Sequence, residues 1–191
     1  MKEIFFATSN KNKYLEAKAI LENFNIKVRW LKGKYPEIQA ERLEEIAAFT
    51  AKWVAEKTNK MVFVEDAGLF IKILNGFPGP YSSYVYRTIG NVGILKLLEG
   101  ETEREAFFTS VVAYCKPSSE PVTFTGKVHG IISYEIRGNK GWGFDPIFIP
   151  KEGKGKTYAE MGPENKNKIS HRRKALEKFG SWFSKQCDSK I

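Results

Sequence analysis

The chain has little that would staple, anchor or repeat it. Cysteine occurs only twice in 191 residues, at Cys115 and Cys187, and neither lies at a metal-type spacing. A disulfide framework and a zinc site are therefore not expected, and a reduced, cytoplasmic chain is. Histidine is equally scarce, at His129 and His171. At the N-terminus, MKE leads into only the four apolar residues IFFA. That run is too short for a signal-peptide core and far short of the roughly 20 residues a membrane span needs, so no membrane partner is expected. There is no heptad series, low-complexity tract or internal repeat, which removes coiled coils and solenoids. No G-x-x-x-x-G-K-[ST] loop is present either, so the chain is not a Walker A nucleotide-binding protein.

What the chain does have is apolar content and unevenly placed charge. With 42% hydrophobic residues it can bury one core, or two lobes, within a single domain over residues 1–191. The net charge is +9. Residues 1–150 hold 20 Lys and Arg against 17 Asp and Glu, whereas residues 151–191 hold 11 against 5. A basic C-terminal segment suits nucleic acid or a phosphorylated small molecule, although solvated lysines are the plainer reading.

Periodicity supplies the architecture. Residues 2–8 and 26–31 read as buried strands. Between them, Ala17, Ile20, Leu21 and Phe24 mark a helix face. Leu43, Ile46, Ala47 and Val54 predict a second helix over about 41–57, and 61–64 predict a third strand that stops at EDAG, 65–68. Strand, helix, strand, helix, strand in 66 residues argues for an α/β sheet. The rigid loop GFPGP at 76–80 is the candidate hinge between lobes. A mixed helix follows, ending near 98–100, and then long, alternating strands over 106–115 and 122–135. GWGFDP at 141–146 interrupts the pattern, and a last helix carries Leu176, Phe179 and Phe183 on one face.

Four segments carry chemistry. TSNKNK at 8–13 joins a strand to a helix, where unpaired N–H groups, hydroxyls, an amide and Lys13 suit an anion. The plainer reading is that Ser9 or Asn10 caps the helix. Glu65 and Asp66 project to opposite sides of a strand, so one can hold Mg²⁺ or take a proton from water, and Glu37 on a loop can complete a metal site. Trp142 and Phe144, set beside glycines and Asp145, form either a stacking platform for a base or a bulge with its aromatics in the core. KNKISHRR at 166–173 reads as the opening of the last helix. Cations there oppose the helix dipole, which points to an anion or an acceptor-rich ligand.

Together these segments resemble the inosine triphosphate pyrophosphatase family. The matching pieces are ATSNKNKYLEA at 7–17, PEIQ at 36–39, VEDAGLFI at 64–71, GFPGPYSS at 76–83, GWGFDPIF at 141–148 and KNKISHRRKAL at 166–176. They run in the family's order from end to end of the chain. The resemblance implies an α/β fold, with a two-lobed mixed sheet, flanking helices and a deep central nucleotide-binding cleft. It also implies a homodimer, and hydrolysis of ITP, dITP and XTP to monophosphate and pyrophosphate with Mg²⁺.

Carried over residue by residue, Thr8, Ser9, Asn10, Lys11, Asn12 and Lys13 resemble the phosphate loop, and Lys52 a further phosphate contact. Asp66 resembles the general base and a metal ligand, and Glu37 a second metal ligand. Trp142, Gly143, Phe144 and Asp145 resemble the base-binding turn. Lys166, His171 and Arg172 resemble the base- and phosphate-contacting group. Two positions depart from the pattern. Ala67 stands where relatives carry a hydroxyl, which leaves only its N–H. Ser83 and Tyr84 stand where relatives place a basic residue, with Arg87 as the candidate substitute. A basic nucleic-acid-binding module explains the charge and the GWGF turn but not Glu37, Asp66 or the 8–13 loop. A nucleotide sensor without turnover is the third alternative. Nucleic acid is not expected as a partner.

Overall fold

The structure, a computed structural model, describes residues 2–186; Cys187 lies outside them. β1 (Lys2–Ala7) buries Ile4 and Phe6 completely. α1 (Lys11–Glu22) turns Ala17, Ile20 and Leu21 inward, and Phe24 packs beside them just past the helix end. β2 (Ile26–Leu31) then lies parallel to β1, in register from Lys2 with Ile26 to Ala7 with Leu31. α2 (Leu43–Thr58) leads into β3 (Val62–Ile71), which pairs parallel to β1 at Phe5 with Val62 and Phe6 with Phe63. The two phenylalanine rings of that register stack at 4.3 Å. This is the βαβαβ unit the hydrophobic pattern predicts.

β4 (Pro78–Gly79) pairs antiparallel to β3, so part of the expected 76–80 loop is a short strand. β5 (Glu105–Cys115), β6 (Val122–Ile132) and β7 (Phe148–Pro150) complete a seven-stranded mixed sheet in the order β2-β1-β3-β5-β6-β7, with β4 on β3. The mixed α/β fold is as expected.

The chain divides into two compact units. The first draws on the chain up to Asp66, on Ser110–Gly126 and on the chain from Arg172. Its core joins Ile4, Phe6, Leu21, Val28, Phe63, Leu176 and Phe179. The second draws on Ala67–Thr109 and Lys127–His171 and has its own core around Leu69, Ile71, Ile94, Phe108, Phe144, Phe148 and Tyr158.

Three expectations about local structure change. β3 does not stop at the acids but runs on through Glu65 and Asp66. A carboxylate can sit mid-strand because buried cations meet Glu65, as described below. The mixed helix before residue 100 is two helices, α3 (Ser82–Thr88) and α4 (Gly90–Leu97). Gly90 takes φ of +61°, outside the helical range, and so separates them. The basic run 166–173 is also divided. Lys166 and Lys168 close α5 (Tyr158–Ile169), where cations suit the negative end of the helix dipole. His171 and Arg172 open α6 (His171–Gln186), where the electrostatic mismatch remains.

Candidate functional site

In the first unit the N-terminal loop is built by its own side chains. Thr8 Oγ1 accepts from the Asn10 N–H, and Asn10 Oδ1 accepts from the Asn12 and Lys13 N–H groups at 2.9 and 3.2 Å. Asn10 is therefore the N-cap of α1. Trp30 Nε1 donates to the Thr8 carbonyl at 2.8 Å and pins the loop to β2. Ser9, Lys11 and Asn12 face solvent, while Lys13 is folded inward.

Lys13 reaches Glu65. Its ammonium lies 2.9 Å from Glu65 Oε2 and donates to the Glu65 carbonyl at 3.1 Å. Arg172 Nε lies 3.1 Å from Glu65 Oε1, and Arg172 Nη1 donates to Glu16 at 2.6 Å. The Ser110 hydroxyl also donates to Glu65. The Glu65 side chain is fully buried, and that of Arg172 is 1% exposed. Burial alone pushes the Glu65 carboxyl upward, but Arg172, Lys13 and Ser110 outweigh it and hold the group well below the usual carboxylate range. Burial likewise opposes the charge on Arg172, and Glu65 and Glu16 more than restore it.

Beside this cluster stands Asp66, half-buried on β3. Because side chains alternate along a strand, it projects to the opposite side from Glu65. Glu37 lies on an exposed segment between β2 and α2. Lys52, exposed on α2, pairs with Glu120. Among the described residues no group of three or more His, Cys, Asp or Glu side chains is gathered as a metal centre. Cys115 is buried, and burial pushes its thiol up, away from reactivity.

In the second unit, residues 142–145 form a tight turn. Phe144 is only 4% exposed and belongs to the core, with Tyr86 meeting its ring edge-on at 5.5 Å. Trp142 is 39% exposed. Asp145 is buried and its Oδ2 accepts from the Trp142 N–H at 3.0 Å and from Lys166 Nζ at 2.7 Å. Lys166 Nζ also lies 5.3 Å from the centre of the Trp142 ring and 5.4 Å from that of Tyr158. His171 is buried, stacked on Phe108 at 4.7 Å with the rings nearly parallel. Ala67 is half-buried on β3, and Arg87 donates to the Ser83 carbonyl one turn back along α3.

A profile of the Ham1 family matches residues 4–182. The chain belongs to the Ham1 family. Within that family, the dITP/XTP pyrophosphatase of Methanopyrus kandleri is 58% identical over 95% of this chain and 96% of its own. The dITP/XTP pyrophosphatase of Thermococcus kodakarensis is 53% identical over 93% and 95%. Among solved structures, a HAM1 protein from Coxiella burnetii superposes with a TM-score of 0.86 at 31% identity, covering 97% of this chain and all of that one. The Staphylococcus aureus Ham1 protein gives 0.82 at 30%, with the same coverage. The family and its nucleotide chemistry agree with the resemblance carried by the six motifs.

Some participants were not singled out in the sequence. Glu16 and Ser110 complete the Glu65 cluster, and Asn91 reaches the 142–145 turn. Only Glu16 had a signal, since it lies one turn along α1 from Lys13 within the N-terminal motif. Ser110 stands beside Thr109 in an otherwise apolar strand, and Asn91 is a lone amide in apolar surroundings.

Proposed function

We propose that this chain hydrolyses dITP and XTP, together with ITP, to the nucleoside monophosphate and pyrophosphate. One observation carries the reading. The two motifs at opposite ends of the chain send Lys13 and Arg172 to one buried carboxylate, Glu65, whose neighbour in sequence is Asp66.

In this reading the loop of Thr8, Ser9, Asn10, Lys11 and Asn12 offers N–H, hydroxyl and amide donors to the triphosphate. Lys13 and Lys52 add positive charge, and the Ala67 N–H a further donor. Asp66 takes a proton from a water molecule, which attacks the α-phosphorus. The bond to the bridging oxygen then breaks and pyrophosphate leaves. Glu37 and Asp66 are hard oxygen donors and fit Mg²⁺, which takes one or two carboxylates and completes its shell with phosphate oxygens and water. When bound, Mg²⁺ supplies charge neutralisation on the phosphate oxygens.

The base is assigned to the turn of Trp142, Gly143, Phe144 and Asp145, with Trp142 as the stacking ring because Phe144 is in the core. Lys166, His171 and Arg172 are the base- and phosphate-contacting group of the same reading. A 6-carbonyl on hypoxanthine or xanthine accepts hydrogen bonds, whereas the adenine 6-amino group donates them. A donor facing a buried donor costs about 1–3 kcal/mol, so the preference over adenine is roughly tenfold to a hundredfold.

A homodimer is part of the same reading. Tyr84, Ile89, Val92 and Leu97 are exposed along α3 and α4, a surface that supports self-association. Light scattering at several protein concentrations tests it. No helix among the described residues is long and apolar enough to cross a membrane, and we place the enzyme with the cytoplasmic nucleotide pool. The activity is tested by presenting dITP, XTP, dATP and dGTP with Mg²⁺ and identifying products directly. Orthophosphate and a nucleoside diphosphate as the only products would refute it.

A further inference from the structure

The turn that carries Trp142 is held less by its own backbone than by side chains. Its internal main-chain bond, from the Asp145 N–H to the Trp142 carbonyl, is 3.4 Å long. Gly141 and Gly143 take φ of +93° and +65°, which L side chains rarely adopt. A Cβ on Gly143 would meet nothing within 4 Å, so that glycine serves the backbone angle and not close packing. Three side chains supply what the backbone does not. Asp145 accepts from the Trp142 N–H, Tyr86 meets Phe144, and Asn91 Nδ2 donates to the Gly143 carbonyl at 3.2 Å.

Asn91 stands near the start of α4, 52 residues from the turn it holds. For stability alone it is a poor choice. Its Oδ1 is buried and has no hydrogen-bond partner among the described residues. Stranding a buried acceptor costs at least as much as one neutral amide-to-carbonyl bond returns, and an apolar residue of the same size strands nothing. What the amide does provide is a fixed point at Gly143, between the two aromatics of the turn.

We propose that Asn91 is a positioning residue for base selection. By holding the Gly143 carbonyl it sets the plane of the Trp142 indole, and so the preference for the base, without acting on the triphosphate. This rests on the reading of residues 142–145 as the base-binding turn.

The test compares Asn91→Leu, which keeps the branched outline and removes the donor, with Asn91→Asp, which keeps the shape and sets a carboxylate against a carbonyl. In both, the ratio of kcat/KM for dITP to that for dATP is expected to fall about tenfold, while inhibition by pyrophosphate stays unchanged. The melting temperature of Asn91→Leu is expected to equal or exceed that of the parent. An unchanged dITP to dATP ratio overturns the proposal, as does a parallel loss of pyrophosphate inhibition. A second measurement separates this from failure of the nucleotide reading. With Trp30, Trp53 and Trp182 replaced by Phe, Trp142 is the sole tryptophan, and Asn91→Leu should increase its quenching by acrylamide. Unchanged quenching overturns the proposal. Increased quenching, where the parent protein with all four tryptophans does not turn over dITP, upholds the tether and refutes the nucleotide reading instead.

Discussion

Each unit buries one carboxylate against cations, but the two arrangements differ in what they can tolerate. Glu65 lies mid-strand, between Lys13, Arg172 and Ser110. Its main partner is a guanidinium, which stays charged and whose planar fork is fixed on two carboxylates at once. Asp145 closes a turn that contains Gly141 and Gly143, and its cation is one lysine on a flexible four-carbon stem. The first cluster is cross-braced from α1, β3, β5 and α6, so removing any member leaves another charge buried. In the second, the lysine is itself nearly buried, but its flexible stem can re-aim the ammonium where a guanidinium fixed on two carboxylates cannot.

The sharpest way to break this comparison is to change the neighbours on β3 separately. Asp66→Asn is expected to lower kcat by roughly 10²–10⁴ with little change in melting temperature. Glu65→Gln leaves Arg172 buried without its partner, and should lower unfolding stability by about 3–5 kcal/mol. Denaturant titration and steady-state kinetics on both proteins decide between them. If Asp66→Asn turns over normally, another group activates the water.

Asp145→Asn probes the second cluster. Because Lys166 can re-aim, the stability loss is expected to be smaller, about 1–3 kcal/mol, and to appear with weaker discrimination between dITP and dATP. A loss as large as that of Glu65→Gln would show the two clusters to be equally rigid.

Acid separates them next. The Glu65 carboxyl is held low, so its stabilising effect is complete above the roughly 4.3 of an unfolded glutamate and fades as pH falls toward its lower folded value. Lys13→Ala removes one of its cations, so the carboxyl should titrate higher and acid unfolding should begin at higher pH. Circular dichroism across an acid titration reads this directly, and a coincident transition in the two proteins would contradict it.

The smallest effect is expected at the loop. Asn10→Ala removes the α1 cap and should cost about 1 kcal/mol. If kcat/KM for dITP falls by much more than that figure allows, Asn10 contacts the substrate as well as capping the helix.

The sequence by itself determined the framework, because hydrophobic period is a local property. The βαβαβ start, two long strands expected over 106–115 and 122–135 (the second ends at Ile132) and the inward face of the last helix all follow from spacing. The same holds for the motif segments, whose residue types are legible without coordinates. Tertiary structure alone decided which charges meet. Nothing near Glu65 in sequence shows that Arg172 will neutralise it, and so nothing shows that β3 runs on through the acids. The division of residues 166–173 between two helices, and the choice of Trp142 over Phe144 as the exposed ring, depended on packing partners distant along the chain. Asn91 was invisible for the same reason. A single amide carries no periodic signal, and its role exists only where the fold brings it to the Gly143 carbonyl.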